Sequence, residues 1–317
     1  MTKLFEPIKI RELEIRNRVF IPAMCQYSCE NQDGIVNEWH LVHLGARAIG
    51  GAGMIIAEAT AVAPEGRITP WCTGIWNYEQ VAAWAKVTQF IRAQGATSAL
   101  QLAHAGRKAS VYRDWAGKGS VPLEKGGWQT VSSTSEAFEG YEAPRELETA
   151  EVYEVIQDFA EAAKRAVLAG FDAVEIHAAH GYLIHQFLSP ISNKRTDEFG
   201  GSLENRAKIL LEVVKAILAE VGLAMPIFVR FSATDYREDG WDVEQTTQVA
   251  KWCADAGADM FDISSGGLIT GVKIPSGPGY QVPLAEHVAA EISEPVAAVG
   301  QITDAHQAEK ILQDGLV

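Results

Sequence analysis

The sequence predicts an α/β fold, a (β/α)8 TIM barrel whose eighth βα unit is missing from the 317-residue chain. Three observations lead there. Short β-branched runs alternate with amphipathic stretches of helical length along the chain. The runs are apolar almost throughout, as parallel strands covered on both faces are. Polar, chemically versatile side chains then gather just after the runs, where a barrel carries its active site. A doubly wound sheet would also bind ligands at its strand ends, but seven or eight units favour the barrel.

Taken in order, residues 18–22 (RVFIP) form the first strand and lead into Met24, Cys25 and Gln26. A helix over 39–49 precedes the second strand, 54–58 (MIIAE), which delivers Ala59 and Thr60. Helix 79–94 is followed by strand 97–102 (TSALQL) and His104. An insertion then spans about 106–149, rich in Gly, Ser, Trp and charge. It is too long for an ordinary βα loop and is expected to be a lid or wall over the site. Helix 150–169 returns the chain to strand 172–177 (DAVEIH), which ends on His177. Helix 203–221 precedes strand 226–231 (PIFVRF) with Arg230, and helix 243–256 precedes 259–264 (DMFDIS) with Ser264 and Ser265. Strand 295–299 (PVAAV) reaches Gly300. Each "AGFDAVEIH" or "AGADMFDIS" ends a helix on a glycine, which accepts the positive φ that closes it. The last segment, "DAHQAEKILQDGLV", reads as the seventh helix and the first residues of an eighth strand. One domain over 1–317 is expected.

The formal charge is −14, from 41 acids against 27 bases, and no basic stripe carries interleaved aromatics. That disfavours nucleic acid and acidic membranes as partners. No signal peptide or apolar run of about twenty residues is visible. The four cysteines, Cys25, Cys29, Cys72 and Cys253, form no CxxC pair, so free thiols in a reducing cytoplasm are expected.

"GGAG" at 50–53 follows a helix and opens a strand, the reverse of a dinucleotide-binding loop. His177 and His180, three apart and followed by Tyr182, leave three readings open. They are a metal site, which needs a third ligand; structural histidines; or two donors to one carbonyl oxygen beside a proton-donating tyrosine. Glu175 shares the face of His177 but is expected to point outside the mouth. Arg230, inside an apolar run, requires an anion: a carboxylate, a phosphate or a reduced flavin. Gln101 offers an amide suited to a heterocycle edge. Cys25 ends the first strand as a nucleophile, a ligand or a polarisable neighbour of a cofactor. Together these furnish a barrel mouth for a planar, electron-accepting ring.

The segment "HAAHGYLIHQFLSPISNKRTDEFGGSLENR" resembles the signature of the Old Yellow Enzyme family of FMN-dependent ene-reductases. "PAMCQY", "EATAVAPEGRITP" and "QLAHAGRKAS" resemble its bacterial thermophilic-like branch, which includes xenobiotic reductases. The resemblance covers nearly the whole chain. It implies FMN held by Pro22, Ala23, Met24, Cys25, Ala59, Gln101, Arg230 and Gly300, with NADPH or NADH as hydride donor. It further implies His177 and His180 on the substrate oxygen, Tyr182 as proton donor, Tyr27 and Lys108 as substrate contacts, and Cys25 touching both substrate and cofactor. The expected activity is reduction of activated alkenes, chiefly α,β-unsaturated carbonyls, with nitro compounds as further acceptors. A homodimer or homotetramer is expected. One departure stands out. The Gly-Arg pair with which the family holds the FMN phosphate would lie beyond Val317. The competing readings are a metal-dependent barrel hydrolase and a truncated, non-catalytic flavin-binding protein.

Overall fold

The computed structural model describes residues 2–317. Its eleven strands are β1 (Ile8–Ile10), β2 (Leu13–Ile15), β3 (Phe20–Ile21), β4 (Met54–Ala61), β5 (Thr97–Ala103), β6 (Val131–Ser132), β7 (Arg145–Glu146), β8 (Ala173–Ala178), β9 (Ile227–Ser232), β10 (Met260–Ser264) and β11 (Val296–Ala298). Eight helices accompany them: α1 (Glu38–Ile49), α2 (Tyr78–Ala93), α3 (Thr149–Leu168), α4 (Leu183–Leu188), α5 (Leu203–Val221), α6 (Val243–Ala256), α7 (Val282–Ala289) and α8 (Ala305–Gln313). Seven strands pair in parallel in the order β3-β4-β5-β8-β9-β10-β11. The sheet curls into an open α/β barrel, and all seven expected strands are present.

The helices begin where the sequence supplies caps. In α2, the Asn77 side chain accepts from Gln80 N–H at 3.0 Å, and Gln80 Oε1 accepts from Asn77 N–H at 3.1 Å. Such a cap contributes about 1 kcal/mol. The "GGAG" glycines close α1 and enter β4, so they cradle no phosphate at a helix start.

Two apolar layers hold the sheet. Outside, helices α1, α2, α3, α5 and α6 pack on its outer face through Trp84, Phe159, Val213 and Cys253. Inside, Met54, Ile56, Ala99, Ala173, Phe228 and Met260 meet Ile10 and Ile15 of an N-terminal hairpin. That hairpin, β1 paired antiparallel with β2, plugs the lower end of the barrel. Each fully buried side chain of this kind contributes about 1.5–3 kcal/mol.

The 106–149 insertion is tied to the barrel rather than loose. Ser132 Oγ donates to Gln186 Oε1 at 2.8 Å, and Ser133 Oγ to Gln186 O at 2.9 Å. Arg107 donates to Leu268 O at 3.0 Å. Trp128 Nε1 donates to Glu65 O, and Arg113 to Tyr27 O, each at 2.9 Å. After α8 the chain forms a turn, with Leu316 N–H returning to Ile311 O. Gly315, at φ +71°, closes the helix in the way Gly95, Gly170 and Gly257 close the helices before β5, β8 and β10. Among the described residues no helix is long and apolar enough to cross a membrane.

Candidate active site

The "HAAHGY" segment turns sharply at the end of β8. His177 lies within the strand, while His180 and Gly181 adopt φ of +57° and +72°. A Cβ on Gly181 would sit 2.4 Å from Gly267 O and 2.7 Å from Leu268 Cα. The loops after β8 and β10 are therefore in backbone contact, which only glycine permits here. Polar contacts fix the same seam. His180 N–H donates to Ser232 Oγ at 2.8 Å, and Ser232 Oγ donates to Gly266 O at 2.8 Å. Lys108 Nζ donates to His180 O at 2.8 Å and Gly267 O at 2.9 Å, beneath the Phe138 and Tyr182 rings. The expected substrate lysine thus has its ammonium committed to two backbone carbonyls. Burial, aided by Arg107, lowers it to about 8.

The two imidazoles stand edge to face, with ring centroids 5.2 Å apart, and Tyr182 lies 4.9 Å from His177. His177 Nδ1 accepts from Ala179 N–H at 3.3 Å, which puts the ring proton on Nε2. His180 Nε2 lies 2.7 Å from Ser264 Oγ. Burial drives both rings well below the ordinary imidazole range, with Arg230 next in importance for His177 and His177 next for His180. Both are neutral at pH 7. Burial likewise holds the Tyr182 phenol well above its usual value, so it keeps its proton.

Below them lies a polar layer inside the barrel. Gln101 Nε2 donates to Glu175 Oε1 at 2.7 Å, and Arg230 Nε lies 3.3 Å from Asp262 Oδ2. Glu175 corrects an expectation: it is wholly buried and points into the barrel, because Gln101 and Arg230 on neighbouring strands stabilise it there. Of the anions open to Arg230, the protein itself supplies a carboxylate, Asp262.

Across the mouth, Cys25, Tyr27 and Tyr182 join one apolar cluster with Ala59, Cys72, Trp128 and Tyr141, so the insertion walls this side. Burial, then the charge of Glu58, pushes the Cys25 thiol up, so it is no thiolate nucleophile. Tyr27 sits at φ +51°. Glu58 braces this loop, accepting from Gln26 N–H at 3.0 Å, with His40 Nε2 at 3.5 Å; burial raises Glu58 to about 8. Pro22 and Ala23 are half-buried, Ala59 is buried and Met24 is exposed. Gly300, at φ +112°, packs against Tyr280 and Gln281, and Gln281 Oε1 accepts from Ser264 Oγ at 3.2 Å. Cys29, Cys72 and Cys253 are free and buried.

Sequence reasoning missed Glu58, Ser232, Asp262 and the role of Ser264. Strand alternation carried a signal for one: Asp262 lies two before Ser264 on the inward face, opposite Arg230 in register. The remaining polar residues of the signature are scaffold. His185 Nδ1 accepts from Gly181 N–H at 2.9 Å, with Nε2 3.1 Å from Asp235. Asn193 Nδ2 donates to Phe187 O and Phe199 O, both at 2.7 Å. Among the described residues, no group of three or more His, Cys, Asp or Glu could hold a metal ion.

Comparison with known proteins bears on this geometry. The model of the NADH:flavin oxidoreductase / NADH oxidase family matches residues 3–316. An NADPH dehydrogenase of Bacillus subtilis (strain 168) is 44% identical over 313 residues, covering 99% of this chain and 88% of that protein. An old yellow enzyme homologue from Zymomonas mobilis superposes with a TM-score of 0.81 at 28% identity, over 99% of this chain and 86% of that one. A 2-naphthoyl-CoA reductase in complex with 2-naphthoyl-CoA superposes with a TM-score of 0.90 at 31% identity; this chain spans 49% of its length.

Proposed function

The chain belongs to the NADH:flavin oxidoreductase / NADH oxidase family, and on that premise we propose that it reduces the C=C bond of activated alkenes, chiefly α,β-unsaturated carbonyls. It is an oxidoreductase of Old Yellow Enzyme type, with FMN as cofactor and a nicotinamide as hydride donor. The barrel mouth suits such a ring. Arg230 is a buried cation whose Nε forms an ion pair with Asp262 Oδ2 at 3.3 Å but makes no aligned hydrogen bond. Ring oxygens and nitrogens above it would accept from the guanidinium, beside the Gln101 amide. Pro22, Ala23, Met24, Cys25 and Ala59 would line the ring, and the Gly300 loop would take part of the phosphate. When bound, FMN supplies a two-electron carrier that takes hydride from the nicotinamide and gives it to the alkene.

The rest of the chemistry falls to the protein. His177 donates from Nε2 to the substrate carbonyl oxygen, since its Nδ1 is occupied by Ala179. His180 is the second donor through Nδ1; in that tautomer the Ser264 hydroxyl turns from Gln281 Oε1 to donate to His180 Nε2. Both being neutral, they polarise the carbonyl without giving up a proton. As negative charge develops on that oxygen their bonds strengthen, each worth about 2.7–4 kcal/mol by analogy with oxyanion-hole donors. Tyr182 keeps its proton until the α-carbon becomes basic enough to take it. Tyr27 and the insertion wall exclude water from the mouth, and Cys25 contacts the ring and substrate as a neutral thiol. Lys108 holds the His180 turn with two of its three ammonium donors and keeps the third for the substrate.

The observation that carries this reading is the trio of neutral His177, His180 and Tyr182, with the His180 and Tyr182 rings 5.2 and 4.9 Å from His177, above a buried arginine. Nitro compounds are further acceptors, and the nicotinamide is NADPH or NADH. A single domain acting as a homodimer or homotetramer in the cytoplasm completes the proposal. Anaerobic turnover of the FMN-loaded protein with NADPH and a cyclic enone tests it. The saturated ketone is expected in step with NADPH loss; enone recovered unchanged while NADPH is consumed would refute it.

A further inference from the structure

The layer beneath the histidines carries more acid than base. Glu175, Arg230 and Asp262 are each at most 6% exposed. Arg230 faces Asp262 in register, His177 faces Arg230, and Gln101 faces Glu175, which sets Glu175 one diagonal step from Arg230. Glu175 Oε1 has only the Gln101 amide, while Glu175 Oε2 and Asp262 Oδ1 have no hydrogen-bond partner. The neighbouring strands contribute apolar Ile56 and Ala297, and the layer below is Met54, Ala99, Phe228 and Met260. Above, on the same strand as Glu175, lies neutral His177. Among the described residues, one guanidinium therefore faces two carboxyl groups.

We infer that Glu175 and Asp262 hold a single proton in common, which brings the layer to zero net charge and makes it a proton site beneath the cofactor seat. Two ionised carboxylates would leave one uncompensated charge in an apolar interior, where an unpaired ion costs several kcal/mol. Burial pushes both groups up, Glu175 to about 8 with Asp262 as the next cause, and only Arg230 opposes this for Asp262. The proton belongs to the pair rather than to either residue. With it in place one carboxylate balances Arg230 and the layer presents no net charge to the mouth; without it the layer is net negative and opposes negative charge there. This consequence rests on the FMN reading above, whereas the shared proton does not.

Infrared spectroscopy of the FMN-loaded protein at pH 7 tests it, comparing wild type with Glu175→Gln and Asp262→Asn. Each amide leaves one carboxylate against one guanidinium, which then ionises fully. The wild-type-minus-variant spectra should both show the same deuterium-sensitive stretch of one protonated carboxylic acid. Glu58, also raised by burial, cancels in the subtraction. Absence of the band from either difference overturns the inference, because the proton would then belong to one residue or to neither. Across pH 8 the midpoint potential of the bound cofactor should fall more steeply in wild type than in Glu175→Gln; equal slopes overturn the link to the cofactor. No alkene enters either measurement, so failure here and failure of alkene reduction are separate results.

Discussion

Gly181→Ala is the most demanding single perturbation of the site. Gly181 holds φ +72°, and an L residue there costs about 1–3 kcal/mol. The added Cβ would stand 2.4 Å from Gly267 O and 2.7 Å from Leu268 Cα. Both are backbone atoms, so no side-chain rotation relieves the overlap, and overpacking of this kind costs about 1–3 kcal/mol more. The expected loss is thus about 2–6 kcal/mol of stability if the loops stay together. If they part, Lys108 must release one of its two carbonyls, and His180 shifts from Ser264. Urea unfolding of the FMN-loaded variant, followed by tryptophan fluorescence, reads the first effect. Titration with a phenol, followed by its charge-transfer absorbance, reads the second. A variant that unfolds at the wild-type urea concentration and binds phenol unchanged would refute the claim that backbone contact between the two loops builds the clamp.

Three further outcomes are expected. His177→Ala removes one neutral buried donor, worth about 1–3 kcal/mol, and should weaken phenol binding roughly 5- to 150-fold; unchanged affinity would count against the clamp. Tyr182→Phe should slow alkene reduction by about 10²–10⁴ while reduction of the cofactor by NADPH stays near wild type; equal loss of both steps would place Tyr182 elsewhere in the mechanism. Burial lowers His104 from the ordinary 6.5 to about 4. The unfolded chain therefore takes up a proton below pH 6.5 that the folded chain refuses, so stability is present above that pH and is lost on acidification towards 4. At 1.36 kcal/mol per pKa unit the loss reaches about 3 kcal/mol. His104→Gln should flatten this acid limb of the stability curve, and an unchanged limb would refute the assignment.

The barrel was legible because each strand and helix carries its own local signal, an apolar β-branched run or a capped amphipathic stretch. The hairpin Ile8–Ile15 was not, since two three-residue strands are too short to show a period. Glu175 was misjudged for a related reason. Alternation puts it on the face of His177, yet a carboxylate inside a barrel makes sense only once Gln101 and Arg230, 74 and 55 residues away in sequence, are known to face it. Asp262 and Ser264 were hidden in the same way, because their partners come from other strands. Family resemblance placed Lys108 on the substrate. The two backbone carbonyls that it also holds leave no trace in a sequence pattern.

The most direct test of the central claim is a single anaerobic half-reaction. The FMN-loaded protein is reduced with one equivalent of NADPH and then mixed with a cyclic enone, while the flavin absorbance is followed. The oxidised spectrum should return in full, with one saturated ketone formed per FMN, and Tyr182→Phe should delay that return. A protein that stays reduced in the presence of enone and recovers its colour only on admission of oxygen would contradict the account.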